Sequence, residues 1–592
     1  MIREGPRRPG AWPRTVMVVL GLGLALLLAA PLRAQTDRPA QPEPESGRAE
    51  KTLARAQRHM VAAAHPLAVQ AGLQMLEAGG RAVDAAIAVH LVLTLVEPQA
   101  SGLGGGAFLL HYDAQRRAVR AWDGRETAPA AVTPELFLRE GRPMSFRDAV
   151  TGGRAVGTPG VPRLLEDAHR AHGRLPWAQL FEPAIALAEQ GFPLSPRLHT
   201  LLLRDTAMVS EAAARDYFFN ADGTPRAAGS TLRNPALAAT LRALAAQGAD
   251  AFYRGDIARD IVAAVRGHPR NSGVLSEADL AGYAVREVEP LCGTYRAWRI
   301  CGMPPSSSGG IAVLQMLGML AGHDLKALRP DAAEAAHLFA EAGRLAFADR
   351  NRWVGDDRFV DVPVRGLLDP GYLAARAQLI QPGRSLGRAE AGTPPGARVA
   401  MADDRHEETG GTSHIAVVDG AGNAVSMTTT IETFFGSRLM VRGFLLNNQL
   451  TDFNFSPVED GRAVANAAAP GKRPRSSMAP KLVFDTAGTL QLVVGSPGGS
   501  QIINYVARTL LATLDWGLDI QAAIALPHVG SRNGPTELER GSAAEALAAP
   551  LRAMGHEVQV TDMTSGLHGI QRTAGGWQGG ADPRREGIAA GR

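Results

Sequence analysis

Apolar residues recur along the chain with two spacings, and these spacings predict where helices and strands lie. Stretches rich in Ala and Leu predict helices, the first of which ends at the Gly79-Gly80 pair. Shorter runs rich in β-branched residues predict strands, because such side chains fit a pleated surface. The predicted helices cover residues 65–78, 82–96, 183–189, 235–246, 257–265, 332–349 and 501–514, and the predicted strands cover residues 108–112, 118–122, 412–419, 423–430, 443–448, 481–485 and 490–494.

The order of these elements predicts a mixed α and β fold. Strands precede and follow a mostly helical middle section, roughly residues 160–390. Residues 35–57 are polar and contain three prolines, which predicts a flexible lead-in before the first helix. The element pattern alone does not determine how the sheets and helices are stacked.

The first 34 residues have the pattern of a cleaved secretory signal. Four arginines precede an apolar run over residues 16–30, and the small residue Ala34 follows at a plausible cleavage site. A helix that spans a bilayer needs about 20 apolar residues, so the shorter run favours a cleaved signal over an anchor. We therefore expect residues 1–34 to be removed, the protein to be periplasmic or secreted, and no stable membrane insertion afterwards.

The charge of the chain changes once the predicted signal is removed. The whole sequence has 62 basic and 58 acidic residues. Residues 1–34 contain five arginines and one glutamate, which leaves 57 basic and 57 acidic residues in the remainder. A nucleic-acid-binding or anionic-membrane-binding protein needs a basic face. The balanced remainder gives no support for such a partner.

Cys292 and Cys301 are the only cysteines. A turn at Arg296-Ala297 in the β-rich segment between them would place them opposite each other, with the short Cβ separation that a disulfide needs. Exported proteins meet an oxidising environment, which favours a bridge over two free thiols. No histidine pair accompanies the cysteines, so the sequence predicts no metal site.

A threonine behind two glycines opens the predicted strand 412–419. If the chain were cut between Gly411 and Thr412, the freed α-amine would lie beside the threonine hydroxyl and could act as its base. The reference pKa of an α-amine, roughly 7.7 to 8.0, suits proton transfer near neutral pH. Glycines also give the backbone the freedom to bring the Thr412 hydroxyl to the Gly411 carbonyl. The same residues are typical of a hairpin turn, so this pattern alone leaves both interpretations open.

Motifs on both sides of Thr412 favour the first interpretation. They are GLGGGAF at 102–108, DGRETAP at 123–129, MPPSSSGG at 303–310, TSH at 412–414, the segment 423–456, PGKRPRSSM at 470–478, GSPGGS at 495–500 and ADPR at 581–584. Together and in this order, the motifs resemble the γ-glutamyltranspeptidase family of N-terminal-nucleophile hydrolases. The resemblance extends from about His59 to the C-terminus.

The resemblance implies an α+β fold, the four-layer αββα sandwich, built from two chains after self-cleavage at Gly411–Thr412. A large subunit over residues 58–411 and a small subunit over residues 412–592 would form a heterodimer. Thr412 would be the nucleophile, and Thr430 would hydrogen-bond to it and orient it. Backbone N–H groups of Gly498 and Gly499 would stabilise the oxyanion. Because the nucleophile and its amine supply the chemistry, no cofactor or metal is implied.

The same family match assigns six residues to a γ-glutamyl substrate. Arg125, Ser476 and Ser477 would bind the α-carboxylate, which a planar guanidinium suits. Glu432, Gln449 and Asp452 would bind the α-ammonium. Considered singly, each residue has a simpler interpretation, such as a salt-bridge arginine, a loop serine or a surface carboxylate. The binding roles are favoured because all six residues fall at motif positions.

The predicted function is hydrolysis or transfer of the γ-glutamyl group of glutathione and related compounds. The reaction would pass through a γ-glutamyl-threonine ester, which water or the amine of an amino acid or dipeptide resolves. One alternative is a cephalosporin (glutaryl-type) acylase of the same family, against which the three predicted ammonium-binding residues argue. The other is a catalytically inactive periplasmic binding protein, against which the intact Thr412, Thr430 and Gly498-Gly499 set argues.

Two departures from the family pattern limit the prediction. Glu432 stands where several transpeptidases have asparagine, so the balance between hydrolysis and transfer stays open. The segment 454–469 is shorter than the tyrosine-bearing lid of some relatives and contains no Tyr or Trp. The choice of acceptor and the gating of the substrate therefore stay open as well.

Overall fold

The structure is a computed structural model, and it describes residues 47–398, 401–404, 406, 408 and 410–592, together with Met1 and Gly5. The predicted signal peptide, apart from these two residues, and the first part of the predicted lead-in, up to residue 46, lie outside the described residues. Among the residues that the structure describes, no helix has the length and apolar character needed to cross a membrane.

Two antiparallel sheets of seven strands each form the centre of the fold. The Thr412 sheet has the spatial order Ile588–Gly591, Met60–Ala63, Gly411–Val418, Ala424–Glu432, Gly106–Asp113, Ala118–Gly124 and Arg286–Val288. The facing sheet has the order Ala54–Ala56, Gly576–Ala581, His568–Thr573, Leu490–Gly495, Lys481–Phe484, Trp298–Gly302 and Leu291–Tyr295. Both sheets combine strands from the two sides of the predicted cleavage site, so the two predicted subunits are interleaved.

Alternation along the strands decides which layer each side chain joins. In the strand Gly411–Val418, Ile415 and Val417 belong to the apolar cluster between the Thr412 sheet and its outer helices. Ala416 and Val418 belong to the cluster between the two sheets. Successive side chains of a strand point to opposite faces. All eight residues of this strand are buried, the apolar ones from Ile415 to Val418 and the polar ones at Thr412, Ser413 and His414.

Helices cover the outer face of each sheet and complete the order α, β, β, α. Pro66–Glu77 and Ala82–Val96 pack on the Thr412 sheet, whereas Gly309–Leu320, Ile502–Leu514 and Ile520–Ala525 pack on the facing sheet. The predicted four-layer sandwich is thus confirmed. The other α-helices of the described residues are Phe146–Val150, Val161–His172, Glu182–Gln190, Pro196–Arg204, Ala212–Phe218, Pro235–Gln247, Asp250–Tyr253, Gly255–Gly267, Glu277–Ala281, Ala333–Trp353, Val364–Leu367, Pro370–Ala377 and Ala548–Ala553.

The predicted strand at 443–448 is wrong. Only Phe444–Leu445 is a strand there, and it pairs with Met440–Val441 in a separate hairpin. Gly443 has a φ of +87° at the turn, so the chain folds back on itself and does not join either large sheet. Apolar content alone does not specify a pairing partner. The remaining short strands are Leu138–Arg139 with Arg142–Pro143, Phe192–Pro193 with Thr231–Leu232, Val458–Glu459 with Arg462–Ala463, and the three-stranded sheet Val529–Ser531, Thr536–Glu539 and Val558–Thr561.

Two further sequence predictions concern the facing sheet. Cys292 and Cys301 pair directly across adjacent strands and form a disulfide, as predicted. The strand Ala54–Ala56 pairs with Gly576–Ala581 at the sheet edge, although it belongs to the predicted lead-in over residues 35–57. The ordered fold therefore begins before residue 58.

Lys481 is a charged residue buried within the facing sheet, and it provides a test of the packing. Its Nζ donates to Gly309 O at 3.2 Å, and burial lowers its pKa to about 7. The unfolded chain keeps a lysine pKa near 10.5, so it binds more protons than the folded chain between about pH 7 and pH 10.5. The cost of burying Lys481 is therefore largest at and below pH 7 and disappears as the pH approaches 10.5.

We expect Lys481→Met to raise the free energy of unfolding by about 4 kcal/mol at pH 7 and by much less at pH 10. Urea denaturation of both proteins at the two pH values measures the difference. Leu482→Met is the control, because Leu482 is the next residue along the strand and is buried but uncharged. It should show no such pH dependence. An equal gain at both pH values for Lys481→Met would contradict the prediction.

Candidate active site

The predicted cleavage site lies at an irregularity between the two central strands of the Thr412 sheet. Gly411 pairs with Glu432, but Thr412 pairs with Thr430, so the register shifts at the Gly411–Thr412 bond. Such bulges redirect side chains and are common next to active sites. Thr412 lies four residues before Ala416 in the same strand, so the two side chains point to the same face. That face lies between the two sheets.

The Thr430 hydroxyl connects the predicted nucleophile to the predicted scissile bond. Thr430 Oγ1 donates to Gly411 O at 2.7 Å and accepts hydrogen bonds from Thr412 Oγ1 at 3.2 Å and from Glu432 N at 2.8 Å. A hydroxyl has one donor and two acceptor sites, so these contacts use its full capacity. The arrangement both polarises the Gly411 carbonyl and orients the Thr412 hydroxyl.

We expect Thr430→Val to slow self-cleavage by roughly 10²- to 10³-fold, the usual effect of removing one hydrogen-bond donor to a developing oxyanion. Valine keeps the shape of threonine and removes the hydroxyl, whereas Thr430→Ser keeps the hydroxyl and should retain most of the cleavage rate. Loss of the full-length band on denaturing gels measures the rate. Cleavage of Thr430→Val at the wild-type rate would exclude this role.

The Gly498-Gly499 pair approaches the cleavage site from the facing sheet. Gly498 and Gly499 have φ values of +134° and +55°, conformations that favour glycine. A 3₁₀ turn over Gly499–Gln501 then leads into the helix Ile502–Leu514. A Cβ atom added at Gly410 would lie 3.3 Å from Gly499 N. Gly499, a predicted oxyanion donor, thus lies beside Gly410, the residue before the predicted scissile pair Gly411–Thr412. The N-terminal end of the helix Ile502–Leu514 favours a negative charge there.

Arg125 and Asp452 form an ion pair, although the resemblance assigns them to different ends of the substrate. Arg125 Nη2 lies 2.5 Å from Asp452 Oδ2, and both residues are buried. Arg125 also donates to the carbonyl oxygens of Pro474 and Arg475. These contacts hold its guanidinium at the pocket that the predicted site residues share. The pocket is lined by Thr412, Thr430, Gly499, Arg125, Glu432, Gln449, Asp452, Ser476 and Ser477, among others.

The predicted ammonium-binding residues contribute two carboxylates, those of Glu432 and Asp452, to the pocket. Gln449 Nε2 donates to Asp452 Oδ2 at 2.6 Å, and Glu432 lines the same pocket. Burial raises the pKa of Asp452, and the Arg125 guanidinium offsets part of this rise. Burial also raises the pKa of Glu126, the neighbour of Arg125, to about 8. Glu126 is not among the residues that line the pocket, so the predicted ammonium site consists of Glu432, Gln449 and Asp452.

Three residues at the pocket were missed by the sequence analysis. Glu408 lines the pocket, and Arg350 and Arg475 bind its carboxylate. Arg475 lies inside the PGKRPRSSM motif, which was the only available signal for it. Nothing in the local sequence distinguishes Arg350, which lies in the helix Ala333–Trp353, from an arginine on an exposed helix face.

The lid segment, residues 454–469, is attached to the chain just before the predicted cleavage site. It contains the short hairpin Val458–Glu459 with Arg462–Ala463. Ala402 N donates to Ala463 O at 2.9 Å, and Asn454 Nδ2 donates to Asp404 Oδ1 at 2.7 Å. Cleavage therefore frees a chain end that is linked to the lid by hydrogen bonds.

One group of side chains has metal-ligand character in the described part of the chain, and it lies in the helix-rich region behind the facing sheet. His337, Glu341 and His556 are buried together. His337 Nδ1 lies 2.7 Å from His556 Nε2, and Arg344 Nε donates to Glu341 Oε1 at 2.9 Å. These ring nitrogens and the carboxylate already bind each other and a guanidinium, whose charge opposes a cation at this place.

The chain matches a family model described as Gamma-glutamyltranspeptidase over residues 68–592. This match covers most of the chain and includes every pocket residue named above. The chain belongs to the γ-glutamyltranspeptidase family. It is thus an enzyme of the N-terminal-nucleophile hydrolase type, with hydrolase or transferase chemistry.

Individual relatives of this family agree with the assignment and include both predicted substrate classes. The chain is 37% identical to the glutathione hydrolase proenzyme of Bacillus subtilis (strain 168), over 98% of this chain and 99% of that protein. It is 36% identical to the Acylase ACY 1 proenzyme of Pseudomonas sp. (strain SE83), over 86% and 88% of the two chains. The crystal structure of cephalosporin acylase from Bacillus halodurans matches with a TM-score of 0.81 and 29% identity, over 94% of this chain and 99% of that chain.

Proposed function

We propose that the chain is an exported γ-glutamyl hydrolase/transferase that acts on glutathione and related γ-glutamyl compounds after cutting itself at Gly411–Thr412. The proposal depends chiefly on one observation: the Thr430 hydroxyl bridges Thr412 Oγ1 and the Gly411 carbonyl, beside a pocket with buried charges of both signs. Export is supported by the signal-like pattern of residues 1–34.

Self-cleavage uses the Thr412 hydroxyl as the nucleophile. Thr412 Oγ1 attacks the Gly411 carbonyl carbon, the negative charge develops on Gly411 O beside the Thr430 hydroxyl, and the proton of Thr412 Oγ1 is relayed to the Thr412 nitrogen. The C–N bond then breaks, and an ester joins Gly411 to the Thr412 oxygen. Water hydrolyses this ester. The products are a large subunit that ends at Gly411 and a small subunit that begins with a free Thr412 amine.

Turnover repeats the same chemistry on a substrate. The α-amine of Thr412 removes the proton from its own hydroxyl, and the hydroxyl attacks the γ-amide carbonyl. The N–H groups of Gly498 and Gly499 stabilise the oxyanion. The amine leaves with the proton, and water or an amino-acid or dipeptide amine resolves the γ-glutamyl ester. Arg125, Ser476 and Ser477 bind the α-carboxylate, and Glu432, Gln449 and Asp452 bind the α-ammonium.

A chromogenic γ-glutamyl-anilide assay with and without glycylglycine tests the proposal. We expect the cut protein to release the aniline, and glycylglycine to accelerate the release if transfer contributes. A denaturing gel of the same sample should show two bands. An uncut chain without activity on the anilide would refute the proposal.

A glutaryl acylase is the second candidate, because acylases are among the similar proteins. A glutaryl group has the same length and the same scissile amide as a γ-glutamyl group but lacks the ammonium. It would leave Asp452 buried without its ligand partner, which disfavours binding. We therefore expect wild-type protein to prefer γ-glutamyl-anilide over glutaryl-anilide, and the opposite preference would favour the acylase.

A further inference from the structure

The carboxylate of Glu408 occupies the pocket of the uncut chain. Glu408 precedes Thr412 by four positions and is only 5% exposed. Its Oε2 accepts a hydrogen bond from Ser477 Oγ, and its Oε1 accepts from Arg350 Nη2 and, at 3.1 Å, from Arg475 Nε. The remaining cavity has a volume of about 20 Å³, which is room for about one water molecule. The pocket of the uncut chain therefore has no room for a substrate.

The partners of Glu408 are those that a bound substrate carboxylate requires. Guanidinium and hydroxyl donors to a carboxylate make charge-assisted hydrogen bonds. Burial raises the pKa of Glu408, but the charges of Arg350 and Arg475 outweigh burial and hold the pKa well below its ordinary value. Glu408 is thus ionised at neutral pH. One of its partners, Ser477, is also one of the residues proposed to bind the α-carboxylate of the substrate.

Departure of Glu408 leaves Arg350 without its nearest anion. Arg350 is buried, and its guanidinium also donates to Ser477 Oγ at 2.8 Å and to Ser308 Oγ at 2.9 Å. These hydroxyls satisfy N–H groups but do not neutralise the charge. Arg475 differs, because Asp404 Oδ2 lies 2.9 Å from its Nη2. Asp404 also raises the pKa of Arg350, but it makes its close ion pair with Arg475. Without Glu408, Arg350 has no directly bound carboxylate, which is unfavourable for a buried charge, so the emptied pocket attracts an anion to Arg350.

We propose that Arg350, together with Ser477, binds the α-carboxylate of the substrate once the cut releases Glu408. The inference rests on the proposed function and adds one residue to its carboxylate site. Arg125 approaches the pocket from the Thr412 sheet and is paired with Asp452. Arg350 belongs to the helix Ala333–Trp353 and contacts two residues that line the pocket, Glu408 and Ser477. In the uncut chain Glu408 takes the place of the substrate carboxylate at Arg350, which prevents premature binding.

Two substrates that differ only in the α-carboxylate test the proposal. γ-Glutamyl-anilide carries both the carboxylate and the ammonium, whereas 4-aminobutyryl-anilide carries the ammonium alone. With Arg350→Gln we expect KM for γ-glutamyl-anilide to rise about 30-fold or more, with kcat changed only a few-fold, because ground-state binding is lost. We expect kcat/KM for 4-aminobutyryl-anilide to change less than about threefold, since that substrate has no carboxylate to lose.

Two further variants keep the test decisive. Arg352→Gln removes an arginine of the same helix that pairs with Asp403 outside the pocket, and it should leave both substrates unaffected. If Arg350→Gln alone stays uncut because the buried Glu408 carboxylate keeps only Arg475 as a charged partner, Glu408→Gln with Arg350→Gln removes both charges together. That double variant then supplies the cut enzyme for the same two-substrate comparison.

The outcomes separate this inference from the proposed function. Equal losses on both substrates would show that Arg350 is only structural, and no loss on γ-glutamyl-anilide would exclude it from the site; either result overturns the inference. The proposed function would still stand if Arg125→Lys impaired γ-glutamyl-anilide selectively. Failure of wild-type protein to turn over γ-glutamyl-anilide would instead overturn both.

Discussion

Thr412→Ala should yield a single uncut chain without measurable turnover. One hydroxyl serves both self-cleavage and substrate attack, so removal of the nucleophile should reduce each reaction by about 10⁴-fold or more. Wild-type protein should instead give fragments over residues 35–411 and 412–592, which have 377 and 181 residues. Denaturing gels, mass spectrometry of the small fragment and the γ-glutamyl-anilide assay measure these results.

Thr412→Ser is the matched control for this prediction, because serine retains a hydroxyl at the same position. It should still be cut and should retain part of the activity. A small fragment with an N-terminus other than Thr412, or full activity in Thr412→Ala, would contradict the mechanism.

Asp452→Asn should reduce kcat/KM for γ-glutamyl-anilide strongly and for glutaryl-anilide far less. Loss of a buried charge partner of the substrate ammonium costs about 2 to 5 kcal/mol, which corresponds to roughly 30-fold or more in kcat/KM. The substitution also weakens the ion pair with Arg125, but that effect applies to both substrates because both carry the carboxylate. The ratio of the two kcat/KM values therefore isolates recognition of the ammonium.

Asp403→Asn is the control for this comparison, since Asp403 pairs with Arg352 outside the pocket. It should change neither kcat/KM value. If Asp452→Asn weakened both substrates equally, Asp452 would shape the pocket without binding the ammonium, and the γ-glutamyl specificity would need another source.

Much of the architecture was available from the sequence because it depends on local patterns. The helix Ala82–Val96 and the strands around Thr412 lie where their apolar spacing predicts them. The disulfide followed from a two-residue turn between short strands. The predicted strand 443–448 failed because its apolar residues pack in a local hairpin, and a sequence run does not show which edge it will pair with.

The site itself was only partly available in this way. Motif positions assembled Thr412, Thr430, Arg125 and Asp452, and the structure brings them to one pocket. The sequence could not show that Arg125 and Asp452 pair with each other, because their contact joins segments 327 residues apart. The direction of each side chain in the pocket depends on how the strands are aligned within the two sheets. It also depends on which layer of the sandwich covers each face of a strand.

The sequence by itself determined the family, the order of elements and the residues of the predicted chemistry, since these are fixed by local propensity and by short motifs. The tertiary structure alone decided that Glu408 fills the pocket and that Arg350 reaches it from a distant helix. A buried charge is stable only where the fold brings a counterion to it, and no local pattern in the sequence specifies which residue that counterion is.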